Sequence, residues 1–533
     1  MIRIATIAVI AAGVISGMSA AVKMSHAEVM SPPIAAPTGV QEYWVEEVAA
    51  GLTLPWGMTF LPNGDMLVTE RTGQIKILRN GKLMGQLEGV PKVLLDLGWD
   101  GLFDIVLDPD FRDNQTLYIT YVGGTNDHRL ARVMKARLSG NKLVDEKVLY
   151  TVDPPLPAGG PAIFHMLFLP DKTMLVALAS GDQAKVSMVQ RPDNLAGKII
   201  RINRDGTIPR DNPFYGKPGY KPEIYAMGLR NASGAVRTAD GHVWVVDIGP
   251  KGGDELNELK PGGNYGWPVV TWGFDYTGEA MSNQQSNKDY IDPVLVWVPA
   301  QTPSDLMQYV GTKFPGWNGD LFTGGLSSGA VRRIRLRNGE VVLQERMLTE
   351  LNERLRSIRE GPDGLIYILA ESRNGRVLRL RPGKPSAADA VHVAKRSGEE
   401  GKPSSARLNV FTAAEEQYSK YVYDPAKGRR LFAQNCSMCH SYGEFTSGRV
   451  GPDLNGLRGR RSGTLPGYDY SAAFRDPKTQ VAWRADTING FLAAPNIQFP
   501  GTKMNIAPME VPSERRSIAD FILGTPAPQP AAK

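Results

Sequence analysis

Cysteine is nearly absent from this chain. Its 533 residues hold two, Cys436 and Cys439, so no disulfide framework staples the fold. Charge of one sign is scarce as well: 61 Lys and Arg stand against 55 Asp and Glu, a net +6, with no dense basic run. Nucleic-acid binding therefore has little support. Beyond the first residues no segment is apolar enough to cross a bilayer, so no permanent membrane span is expected. From about residue 50 to 382 no long amphipathic helical pattern occurs, which argues against a helical architecture for the larger part. What is there is 42% hydrophobic and 22% charged, the balance of a soluble globular protein, in a chain too long for one ordinary core.

The N-terminus carries the one long apolar run. Arg3 precedes residues 4–21, and small residues follow, which is the layout of a secretory signal. An uncleaved anchor is the alternative, but the Ala/Gly-rich run and its small-residue exit favour cleavage. Residues 1–27 are thus expected to be a signal peptide and 28–43 an extension, with a bacterial periplasm as destination.

A unit of apolar strand, Pro/Asp/Gly/Asn turn and second strand recurs along the next part. It reads "MTFLPNGDMLVTE" (58–70), "IVLDPDFRDNQTLYITY" (105–121), "MLFLPDKTMLVALA" (166–179), "AVRTADGHVWVVD" (235–247), "KFPGWNGDLFTGG" (313–325) and "IREGPDGLIYILA" (358–370). NG and DG between alternating apolar residues signal antiparallel hairpins. Six units predict a mainly β fold, a six-bladed β-propeller over 44–382. Residues 383–420 are polar and rich in Gly, Pro and Ser, and read as a linker. A small all-α domain over 421–527 and a tail at 528–533 complete the chain. Asp424 and Pro425 predict a capped helix leading to Cys436, and a last helix is expected from Ser513.

Cys436 and Cys439 stand in "NCSMCHSYG", with His440 next in line. A redox disulfide lacks its usual βαβ context, and a structural zinc site lacks a second pair of ligands. Covalent haem c fits: two thioethers hold the porphyrin edge and His440 supplies the proximal nitrogen.

The surroundings strengthen this. "GRRLFAQNCSMCH", "GPDLNGLRGRRSGTLPGYDYSAA" and "PGTKM" make the segment resemble class I cytochromes c of the mitochondrial and c2 type. The resemblance implies Met504 as the second axial iron ligand, and Arg460, Tyr470, Trp483 and Thr502 as partners of the haem propionates. It also implies that Gly428 and Phe432 pack on the last helix. Most of the lysines that ring the haem edge in mitochondrial members are absent, so the external electron acceptor is expected to differ.

Residues 44–382 resemble the glucose/sorbosone dehydrogenase family of soluble quinoproteins. The likeness rests on "GLTLPWGMTFLPNGDMLVTE", "GLFDIVLDPDF", "NLAGKIIRINRDGTIPRDNPF", "IYAMGLRNASG", "DIGPKGGDELNELKPGGNYGWP" and "ERLRSIREGPDG". It implies pyrroloquinoline quinone (PQQ) and calcium as cofactors. Arg230, Arg354 and Arg356 match the arginines that bind PQQ, a tricarboxylate suited to guanidinium forks. The carbonyls of Gly249 and Pro250 match cofactor-side calcium ligands, and Glu255, Tyr265 (by carbonyl) and Asp275 match a second calcium site. The family's catalytic His falls on Pro161, its Gln on Trp99 and its fifth-blade Lys on Ser327. His165 is the expected substitute base, since residues 161 and 165 share a strand face; a histidine satisfied structurally is the competing reading. Asp100 and Asp182 are weaker alternatives.

Together the halves imply a periplasmic quinohaemoprotein dehydrogenase. It would oxidise a sugar or related alcohol or aldehyde and pass electrons through haem to an external acceptor. The alternative is an electron-transfer cytochrome carrying an inactive propeller as a recognition platform.

Overall fold

The computed structural model describes residues 41–389, 392–394 and 424–524, less several short internal stretches, the longest of them 274–280. The first part forms six four-stranded antiparallel sheets. Their innermost strands are Pro55–Phe60, Leu102–Leu107, Ile163–Phe168, Ala232–Arg237, Pro303–Gln308 and Leu355–Glu360. We number the blades in that order. In blades 1, 3, 4 and 6 the inner strand turns into its neighbour through the short turn seen in the sequence. In blade 1, Asn63 Oδ1 accepts the amide of Asp65 at 3.0 Å, and Gly64 takes φ +88°, a conformation that glycine reaches without penalty.

The ring is closed by the first strand of the chain. Tyr43–Leu52 pairs antiparallel with Gly375–Pro382, so the outer strand of blade 6 comes from the other end of the domain. Arg379 reinforces the seam, with Nη2 2.7 Å from Glu46. Closure removes a long exposed edge. Between blades the faces are dry: Leu52, Leu67, Val68, Ile366 and Ile368 are all fully buried.

Two expectations need correction. The fifth hairpin does not begin within 313–325: its inner strand is Pro303–Gln308, and it pairs with Leu321–Gly325. Residues between them loop out because Tyr309, Phe314 and Trp317 are anchored as a buried aromatic cluster, with Phe314 stacked on Trp317 at 4.6 Å. Nor is the start of the 383–420 segment a free linker. The amide of Ala394 donates to Val45 O, and the amide of Glu47 donates to His392 O, both at 2.8 Å. The chain folds back to cover the outer strand of blade 6.

The second part holds four described helices, Pro425–Asn435, Ala472–Arg475, Ala485–Ala493 and Pro512–Ile522. The first is capped as expected, Asp424 Oδ1 accepting the amide of Ala426 at 2.9 Å with Pro425 in the first turn. Gly428 and Phe432 are buried, and the Phe432 ring meets Phe521 of the last helix at 5.6 Å. Ile518 and Ile522 on that last helix are buried too. Among the described residues no helix is long and apolar enough to cross a membrane. The expected signal peptide, the 28–40 part of the extension and the tail lie outside the described residues.

Candidate cofactor sites

A cleft in the helical part gathers residues that are far apart in sequence. Cys436, Cys439, His440, Arg460, Tyr470, Trp483, Thr502 and Met504 all line it. The first helix ends at Asn435 and delivers both cysteines to the wall. Backbone bonds from the amides of Cys439 and His440 to Cys436 O, at 3.0 and 2.9 Å, hold the turn.

Both thiols are free, and burial pushes each up to about 12. That is opposite to a redox dithiol, which needs a lowered thiol. His440 Nδ1 lies 2.8 Å from Pro452 O, a hydrogen bond that leaves Nε2 for another partner. Burial lowers the imidazole below its usual value and keeps it neutral, the state in which it ligates a metal. Gly451 packs so closely on this ring that a β-carbon there would stand 2.4 Å from Cε1. The donor set fits a haem: a neutral imidazole, a thioether, two thiols, and Arg460, Tyr470 and Thr502 as polar wall. Around them Phe474, Phe491, Phe499 and Trp483 form an aromatic shell, with Phe474 stacked on Phe499 at 4.1 Å.

The propeller gathers its cations at the starting ends of the inner strands. Arg230 precedes the inner strand of blade 4, and its Nη1 donates to Ile248 O at 3.0 Å and Gly249 O at 3.2 Å. In blade 6, Arg354 and Arg356 share one carboxylate: their Nη2 atoms donate to Glu371 Oε2 at 3.1 and 2.8 Å. Burial would raise the Glu371 carboxyl, but Arg356 and Arg354 hold it below its usual value. Arg356 Nε is buried with no partner among the described residues. Two guanidinia against one carboxylate, with an orphaned donor, form a cradle that suits an anionic ligand.

The loop after Asp247 has the reverse character. Asp247, Asp254 and Glu255 are buried, and desolvation raises them to about 6, 7 and 8; Asp247 adds to the effect at Glu255. Asp254 fixes the loop by accepting the amides of Gly249 (2.8 Å), Gln301 (2.5 Å) and Thr302 (2.7 Å). Three buried carboxyls that burial holds back from ionising, one of them bonded to the Gly249 amide, supply the oxygen chemistry of a hard cation. Among the described residues no group of three His, Cys, Asp or Glu side chains is arranged to hold a metal. Tyr265 is buried, its hydroxyl donating to Glu258 O at 2.7 Å; Asp275, Trp99 and Asp182 lie outside the described residues.

His165 is placed elsewhere. Its Nδ1 is 3.0 Å from Asp104 Oδ2, and nearby Arg359 ion-pairs with Asp305, which also accepts Ser357 Oγ at 2.7 Å. This charged layer spans the channel between inner strands. His165 and Arg359 line a funnel of about 700 Å³ that also takes in Phe60–Pro62 and Gly361–Pro362, the finishing ends of those strands. None of Arg230, Arg354 and Arg356 lines that funnel. Towards the starting ends, Trp56 meets Phe103 at 5.4 Å and stacks on Phe164 at 6.4 Å, and Arg356 lies over Trp56 at 5.6 Å. Burial favours a neutral His165, yet Asp104 and Asp305 outweigh it and raise the imidazole.

Pro161 is half-buried, beside Gly160, whose carbonyl accepts from Arg129 at 3.1 Å. Arg129 in turn forms a buried ion pair with Asp100. Ser327 Oγ donates to Ala300 O at 3.2 Å. Sequence reasoning missed Glu371 and the Asp104–His165–Asp305–Arg359 layer. Asp104, a charge within the apolar inner strand "LFDIVL", was the available signal.

Comparison with known proteins finds relatives for both parts of the chain. The family model for glucose/sorbosone dehydrogenases matches residues 52–379. The aldose sugar dehydrogenase YliI of Escherichia coli is 34% identical over 348 residues, covering 63% of this chain and 92% of the relative. The PQQ-bound aldose sugar dehydrogenase of Streptomyces coelicolor superposes with TM-score 0.52 at 25% identity, over 64% of this chain and 99% of that one. Cytochrome c2 of Agrobacterium tumefaciens is 36% identical over 109 residues, 20% of this chain and 97% of the relative.

Proposed function

Because the chain belongs to the glucose/sorbosone dehydrogenase family and carries a cytochrome c segment, we propose that it is a periplasmic quinohaemoprotein that oxidises an aldose or related alcohol. The observation that carries this reading is the pairing of an arginine cradle with a separate thiol–imidazole–thioether cleft in one polypeptide.

When bound, PQQ supplies removal of two electrons and two protons from a substrate C–OH, and a c-type haem supplies one-electron relay to an external acceptor. Arg230, Arg354 and Arg356 hold the quinone's carboxylates, and Glu371 fixes the directions of the last two. Gly249 and Pro250 offer carbonyls to calcium, with Asp254 keeping their loop in place. Cys436 and Cys439 form the thioethers, while His440 and Met504 ligate iron. A Met ligand raises the potential, which suits electron acceptance. In these roles the chain binds, orients and excludes water.

The second reading, an inactive propeller used as a platform, is favoured by one observation. His165 is buried and engaged by Asp104 and keeps its proton to higher pH than a free imidazole, which leaves less of it free to accept one. One experiment separates the readings. Haem-loaded protein is given PQQ and calcium, and its spectrum is followed while aldoses are added. Reduction that needs both PQQ and sugar supports the enzyme; quinone binding without any sugar-dependent reduction supports the platform. Turnover unaltered in His165→Ala removes that residue as base.

A further inference from the structure

The wall of the haem cleft is not made by the helical part alone. Trp272, Gln285 and Val298, all from the fourth blade's outer loops, line it together with Cys436, Cys439, His440 and Met504. Each of the three hangs from the loop that carries Gly249 and Pro250. Trp272 abuts Gly253, where an added β-carbon would stand 2.8 Å from the Trp272 carbonyl carbon. The next residue, Gly273, is wedged between Gly252 O and Pro250 Cδ, each 2.9 Å from where its own β-carbon would be. Val298 follows Trp297, whose carbonyl accepts the Gly253 amide at 3.0 Å. Gln285 is fixed through its neighbour, since Thr271 N donates to Gln284 O at 3.0 Å. The chain of contacts continues to Arg230, which donates to Gly249 O.

A second observation points to what this rim faces. Gln285 Nε2 is buried and has no hydrogen-bond partner among the described residues. An orphaned amide donor costs free energy unless an acceptor reaches it. It stands in the wall of a cleft whose fitting occupant, haem, carries carboxylates. The other two contributors are an aromatic and an aliphatic side chain, so the contact needs no complementary charge.

We infer that Trp272, Gln285 and Val298 form the surface on which the propeller docks its own haem-bearing domain, and that electrons leave the propeller there. The inference rests on the haem reading above. Trp272 and Val298 pack against the cleft opening; Gln285 donates to the occupant's acidic edge. The path from the quinone-side loop to the cleft is then a single run of packed residues, 249–253 to 272–273. Two electrons leave each oxidised substrate, so the surface is used twice per turnover. An external one-electron acceptor reoxidises the haem between passages.

The test uses full-length, haem-loaded protein with PQQ and calcium. Stopped-flow haem reduction by an aldose is compared with turnover of a dye that takes electrons directly from the propeller. Trp272→Ala should lower the ratio of haem reduction to dye turnover by about tenfold, the loss expected for an aromatic anchor in an interface, and Trp272→Phe should restore much of it. An unchanged ratio overturns the inference. Gln285→Glu sets a carboxylate against the cleft and should lower the haem reduction potential; an unmoved potential counts against its donor role. Deuterium exchange gives a readout independent of sugar oxidation. Cys436→Ala/Cys439→Ala protein, which cannot attach haem, should exchange faster at 271–273 and 284–285 than the haem-loaded chain. Equal exchange there sinks the docking claim. Absence of any dye turnover by the wild type instead sinks the dehydrogenase reading and leaves the docking claim to be read from exchange.

Discussion

The haem cleft and the propeller mouth meet the problem of holding a cofactor in opposite ways. The cleft is apolar, and burial drives its groups neutral: thiols pushed up, imidazole pushed down. The mouth keeps a surplus of guanidinium, Arg354 and Arg356 against the one carboxylate of Glu371, and holds beside it three carboxyls, Asp247, Asp254 and Glu255, that burial raises and that a cation would draw into their ionised form. A covalent ligand needs reach and soft donors, whereas a dissociable anion with its cation needs charge waiting for it. The cleft should therefore respond to loss of a ligand in an all-or-none way, and the mouth in graded steps.

The largest effect tests that contrast directly. His440→Ala should abolish the low-spin absorption bands of the matured protein; retention of those bands would break the comparison at its strongest point. Arg356→Ala should weaken PQQ binding by roughly 10- to 100-fold, the worth of a charge-assisted hydrogen bond to a carboxylate. Fluorescence titration measures it, and total loss of binding would make the mouth as all-or-none as the cleft.

Next comes pH. Asp247, Asp254 and Glu255 have folded values raised above those of the unfolded chain, so the native state binds more protons between roughly pH 4 and 8. Calcium-free protein should therefore be more stable at the acid end of that window and lose the advantage as pH rises through about 6 to 8. Calcium should flatten this slope, because it compensates the ionised carboxylates and binds more tightly as they lose protons. Melting curves at several pH values, with calcium and with chelator, check it; a slope indifferent to calcium would argue that no cation sits there. The smallest effect concerns scaffold alone. Asp424→Ala removes a helix cap and should cost about 1 kcal/mol, read as a lowered Tm of the haem-bearing part.

Much of the molecule is legible in the sequence because it is local. The short turns after the inner strands of blades 1 and 6 are set by neighbouring residues, so "PNGD" and "PDGL" announce hairpins on their own. The CxxCH run keeps its donors within one helical turn, and the Asp424–Pro425 cap acts on the next two residues. The residue that holds two of the arginines is not legible in this way. Glu371 sits in an apolar strand ending, "YILAES", and becomes a clamp only because Arg354 and Arg356 arrive beside it from the preceding strand. His165 shows the limit of strand parity. Period two would put residues 161 and 165 on one face, but Pro161 lies before the strand Ile163–Phe168 and the pairing shifts register between Ile163 and Met166.

By itself the sequence determined the repeat, the chemistry of its turns, the two-part division and the haem-attachment run, because each depends on residues a few positions apart. Tertiary structure alone decided that the first strand closes the ring and that His165 pairs with Asp104. It alone placed Trp272 of the propeller in the wall that holds His440. These depend on distances between segments tens to hundreds of residues apart. Such distances follow from how the blades and helices pack, and no short-range pattern encodes them.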